Sequence, residues 1–80
     1  MGVRIKVINP NPYEVTIKTG NTATGAPDGS RSIRAGKTEE MYLSTGKFLF
    51  YDKPTKNRHS PCLGEVSFEG QTFSVPPVPD

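Results

Sequence analysis

Apolar and polar residues alternate with a period of two along much of the chain. Val3, Ile5 and Val7 are separated by Arg4 and Lys6, and Tyr13, Val15 and Ile17 by Glu14 and Thr16. Successive side chains of a strand point to opposite faces, so each run predicts a half-buried strand. Between them Asn9-Pro10-Asn11-Pro12 supplies turn chemistry, because proline lacks a ladder donor and asparagine tolerates a left-handed backbone. The simplest arrangement is a hairpin with Val7 opposite Tyr13, Ile5 opposite Val15, Val3 opposite Ile17, and Lys6 across from Glu14 on the outer face.

The C-terminal half repeats the pattern. Glu65-Val-Ser-Phe68 and Gln71-Thr-Phe-Ser-Val75 flank Glu69-Gly70, a two-residue connection with glycine second, as type I′ hairpins favour. Pairing Phe68 with Gln71 collects Val66, Phe68, Phe73 and Val75 on one apolar face. Between the two hairpins, Met41 and Leu43 alternate around Tyr42, and Ile33 marks a short strand before the turn at Ala35-Gly36-Lys37. Lys47-Phe-Leu-Phe-Tyr51, bounded by Gly46 and Asp52-Lys53-Pro54, is almost continuously apolar and predicts a strand buried on both faces. The sum is an all-β chain of about seven short strands and no significant helix, a small antiparallel β-sandwich or partly open β-barrel. One domain spans residues 1–75, and 76–80 form a proline-rich extended tail.

Composition changes this picture in one respect. Leu, Ile, Val and Phe make up 17 of 80 residues, close to the level near 20% at which highly charged chains stay disordered. The net charge is only +2, so the chain folds. It does so around a thin core, because a domain of this size buries only about 60–65% of its unfolded surface. Stabilisation by a protein partner or by homo-oligomerisation is therefore expected. Arg4 and Lys6 interrupt the N-terminal apolar run, and no stretch reaches the roughly 18 apolar residues of a membrane span. The expectation is a soluble protein, intracellular where synthesised, with no membrane partner.

Catalytic and metal chemistry are weakly represented. Gly36-Lys37-Thr38 has the last three residue types of a nucleotide-binding P-loop, but Arg31 stands where its first glycine belongs and no crossover helix comes after it. Gly20 and Gly25 have the two-glycine spacing, yet Ala26-Pro27 stand next in place of the lysine and hydroxyl. His59 and Cys62 are half of a zinc site in a chain with no second His or Cys. The same pair lacks an evident orienting group for nucleophilic catalysis. No enzyme activity, cofactor or metal is expected.

Two segments remain as a candidate interaction surface. Lys53, Lys56, Arg58 and His59 concentrate positive charge in the long loop from Asp52 to Gly64, beside Tyr51. Basic side chains next to an aromatic suit single-stranded nucleic acid, although Glu39, Glu40, Glu65 and Glu69 oppose a broad anionic ligand. Pro76, Pro77 and Pro79 end the last strand near Val75 and stiffen the tail beyond it. That tail either lies on its own sheet or docks on a neighbouring subunit. The function expected from all of this is a non-enzymatic structural or interaction module of a larger assembly, for example a capsid decoration or cement protein of a bacteriophage virion. A single-stranded nucleic-acid-binding barrel and a small intracellular inhibitor or adaptor are the alternatives.

Overall fold

The structure, a computed structural model, describes residues 2–22, 27–53 and 61–78. These form seven strands: β1 (Gly2–Ile8), β2 (Val15–Gly20), β3 (Gly29–Ile33), β4 (Thr38–Ser44), β5 (Phe48–Asp52), β6 (Cys62–Glu65) and β7 (Thr72–Ser74). No helix occurs among the described residues. The strands divide into a three-stranded sheet, β4-β1-β7, and a four-stranded sheet, β3-β2-β5-β6. Every pairing is antiparallel except β1 with β7. The two sheets do not close on each other, so the architecture is a small open sandwich.

The core lies between the sheets and follows the alternation. Ile5, Val7, Met41 and Phe73 come from one sheet, Val15, Ile17, Ile33, Leu49 and Tyr51 from the other, and all are buried. Met41 is buried and Leu43 half-buried while Tyr42 is exposed, as period-two patterning requires. β5, which lies between β2 and β6 in its sheet, is buried on both faces from Leu49 to Asp52. Full burial of an Ile or Val side chain contributes about 1.5–3 kcal/mol. Among the described residues the twelve buried hydrophobic side chains of this cluster are therefore the main source of attraction between the sheets.

Neither predicted hairpin forms. β1 and β2 lie in opposite sheets, so Ile5 and Val15 enter the core from different sheets instead of facing each other along a ladder, and Lys6 is opposite Glu40 rather than Glu14. The cause is the Asn9–Pro12 segment, which crosses between the sheets. Asn9 is fully buried, and its Nδ2 donates to the carbonyls of Tyr13 (2.8 Å), Ile33 (3.1 Å) and Arg34 (3.1 Å). Its Oδ1 accepts from both the backbone N–H and Nδ2 of Asn11. Asn11 Nδ2 also reaches the carbonyls of Val75 and Pro76.

The C-terminal glycine turn does form, with Gly70 at φ +84° and Gln71 N–H donating to Phe68 O. Its two arms go to different sheets. The Val66 backbone exchanges hydrogen bonds with Lys47 and Gly46, whereas β7 runs parallel to β1. Phe68 is consequently 59% exposed and contributes nothing to the core face on which it was expected, while Val66, Phe73 and Val75 are buried.

Gly36 sits at φ +71° in the turn between β3 and β4, closed by Lys37 N–H to Arg34 O, and open space surrounds the position of an added Cβ. The region that resembled the end of a P-loop is thus a tight turn. Gly36→Ala meets no steric neighbour, so its cost is the left-handed backbone penalty alone, about 1–2 kcal/mol. A lower urea midpoint with an unchanged slope is the expected measurement, and Gly36→Asn should recover part of the loss.

Candidate functional site

The sandwich is open along the side where β3 and β4, the outer strands of the two sheets, run beside each other. Two features of the sequence keep it open. Gly29 opposes Thr19 at an inward position and offers no side chain, and the next inward position of β3 is Arg31, opposite Ile17. Arg31 turns to the rim and pairs with Glu39 of β4 at 3.5 Å, both side chains being exposed. An exposed pair of this kind is worth at most about 1 kcal/mol. Between the strands lies a groove of about 360 Å³ with Ile17, Met41 and Leu43 among its walls.

The backbone of β4 borders that groove. On the β7 side of β1, Lys6 N–H donates to Gln71 O, Gly70 N–H to Arg4 O, and Val75 N–H to Ile8 O. Even-numbered residues of β1 therefore face β7, and Val3, Ile5 and Val7 face β4. Their partners are Leu43, Met41 and Glu39. By the alternation of an antiparallel ladder, Thr38, Glu40, Tyr42 and Ser44 direct N–H and C=O to the outer edge, where no other described strand pairs. The Tyr42 ring lies across Gly2, directly over the position of an added Cβ, yet the residue is 70% exposed.

The residues singled out in the sequence fall elsewhere. Lys53 is half-buried, with Nζ 4.3 Å from the centroid of the Tyr13 ring, a cation–π contact. Lys56, Arg58, His59 and Pro79 lie outside the described residues. Pro76 and Pro77 are exposed, but Val78 beyond them is buried, and its N–H donates to the Tyr13 hydroxyl at 2.8 Å. The described part of the tail thus lies on its own domain. Tyr13 joins the two predicted segments, carrying Lys53 on its ring and the tail on its hydroxyl.

At the start of β3, Asp28 is held below the usual carboxylate range, first by its hydrogen bond to Lys47 and then by that from the Thr19 hydroxyl. A lowered carboxyl favours the folded state at neutral pH, and this contribution fades as pH falls through the lowered value. Cys62 is a free, exposed thiol in β6. Among the described residues no group of three or more His, Cys, Asp or Glu side chains could hold a metal ion, and no helix is long and apolar enough to cross a membrane.

The β4 edge was not identifiable in the sequence, where Glu39-Glu40-Met41-Tyr42-Leu43 reads only as a strand. Alternation places side chains on faces and says nothing about which strand lacks a neighbour. No protein-family model matches the chain, and no curated protein or solved structure does either.

Proposed function

We propose that this protein is a non-enzymatic interaction module that works by adding its sheet edge to a larger protein assembly. The observation that carries the reading is the outer β4 edge beside a groove whose walls mix apolar side chains, Ile17, Met41 and Leu43, with polar ones, among them Arg31 and Glu40. Such an edge supplies a row of main-chain donors and acceptors for affinity, and the groove supplies a place for a partner's side chains. A thin core agrees with a domain that gains stability from its neighbours. A decoration or cement protein of a bacteriophage virion is the concrete form that suits a small, non-catalytic β-sandwich of this kind. An inhibitor or adaptor would use the same edge on a single partner.

The test is sedimentation of the protein from the cells that make it. The expected result is co-sedimentation with particles far heavier than its own 8.7 kDa. Recovery only as a free small species overturns the assembly reading. Nucleic-acid binding has less in its favour, because the Tyr51 ring is buried in the core and Lys53 covers the Tyr13 ring, and it makes a separate demand: affinity for a single-stranded oligonucleotide that falls steeply with salt. Replacing Lys53, Lys56 and Arg58 together by Ser should abolish that affinity. If the unmodified protein shows it and the triple variant loses it, nucleic acid replaces a protein partner in the proposal.

A further inference from the structure

We infer that the occupant of the β4 edge is a second copy of the same chain, paired antiparallel about a two-fold axis at Met41. The inference rests on the edge-docking function proposed for this protein and names its partner. Among the described residues four strands are outermost in the two sheets, and three are poorly suited to pairing. β7 has three residues and is followed by Pro76 and Pro77, β6 has four and joins β5 through a register shift, and β3 has only five and opens on Gly29. These are the devices by which proteins blunt edges. β4 has seven residues, with no proline, lysine or irregularity in its ladder. Its inward charge, Glu39, is already matched by Arg31.

The pattern of β4 is compatible with itself in one fully overlapped register. Its outward-directed backbone groups belong to even-numbered residues, so a symmetric antiparallel pair must set even opposite even. Centring the axis on Met41 pairs Thr38 with Ser44 and Glu40 with Tyr42 of the second copy, and every outward group of the edge is used. Shifting the centre to Glu40 would oppose two like carboxylates and is disfavoured. With the centre at Met41, the two Tyr42 rings become diagonal neighbours on the outer face, within reach of each other. On the inner face Met41 meets its own copy, and the two grooves come together. The contact is isologous and closed, so it yields a dimer and not a filament.

Charge substitution at Tyr42 tests both partner and register, and at 70% exposure the position tolerates change. Tyr42→Glu sets a carboxylate opposite the second copy's Glu40 twice over and should weaken the dimer at least about tenfold, whereas Tyr42→Lys should keep affinity within about threefold. Sedimentation equilibrium of the purified full chain from micromolar to millimolar reads both. Amide exchange of the unmodified protein gives a second measure, with Glu40 and Tyr42 amides slowing as concentration rises. A wild-type chain that stays monomeric at millimolar concentration overturns the second copy as occupant. Equal weakening by the two substitutions overturns the register. A dimer that never co-sediments with large particles would keep this inference and remove the assembly reading, and a purified monomer found on particles would do the reverse.

Discussion

Asn9→Ala is expected to cost about 3–5 kcal/mol and to leave much of the chain unfolded at room temperature, because several buried groups lose their partners at about 1–3 kcal/mol each. The total stability of a domain of this length is only about 4–12 kcal/mol. Asn9 is fully buried, and its amide serves three carbonyls from two separate stretches of chain, Tyr13 before β2 and Ile33 and Arg34 at the end of β3. Its carbonyl oxygen holds Asn11, which in turn holds the backbone at Val75 and Pro76. Alanine removes donor and acceptor together. Asn9→Asp is expected to do at least as much damage, since it would set a carboxylate oxygen against three carbonyl oxygens. Urea denaturation followed by circular dichroism measures both variants. A loss below about 1 kcal/mol for Asn9→Ala would show that the crossing between sheets is held by something other than this side chain.

The same residue explains why the faces of the strands were legible in the sequence and their partners were not. Val3, Ile5 and Val7 alternate identically whether the next strand lies beside them or across the core. Read locally, Asn9-Pro10-Asn11-Pro12 is turn chemistry. A buried asparagine becomes a hub only when remote carbonyls surround it, and those of Ile33 and Arg34 lie 24 and 25 residues away. The glycine turns at Gly36 and Gly70 were legible because a positive φ is a local requirement. The destination of the arms beyond Gly70 was not, and Phe68 went to the surface for that reason. For the interaction surface the limit was similar. Lys53 and the prolines announce themselves by type, whereas an unpaired edge is a property of the assembled sheet and carries no residue signature.

Phe73→Ala should be comparably damaging, about 3–5 kcal/mol, the usual range for truncating a buried aromatic. The reason is the position of the ring. Phe73 stands on β7, a three-residue strand held by a parallel pairing with β1, and is 9% exposed. Its ring crosses to the other sheet and rests on Gly64 of β6, where an added Cβ would lie 2.7 Å from Cε1 and 3.3 Å from Cδ1. The ring is thus a bridge between sheets at the side opposite the open groove. Gly64→Ala alone should cost about 1–3 kcal/mol, because the ring must move out of a packed position. In the double variant the clash disappears with the ring, so the two costs should fall short of their sum by about 1 kcal/mol or more. Thermal and urea unfolding of the four proteins measure that coupling. Strict additivity would mean that the ring does not rest on Gly64, and the margin between β6 and β7 would then be closed by the other side chains of the core there, Leu63, Val66 and Val75.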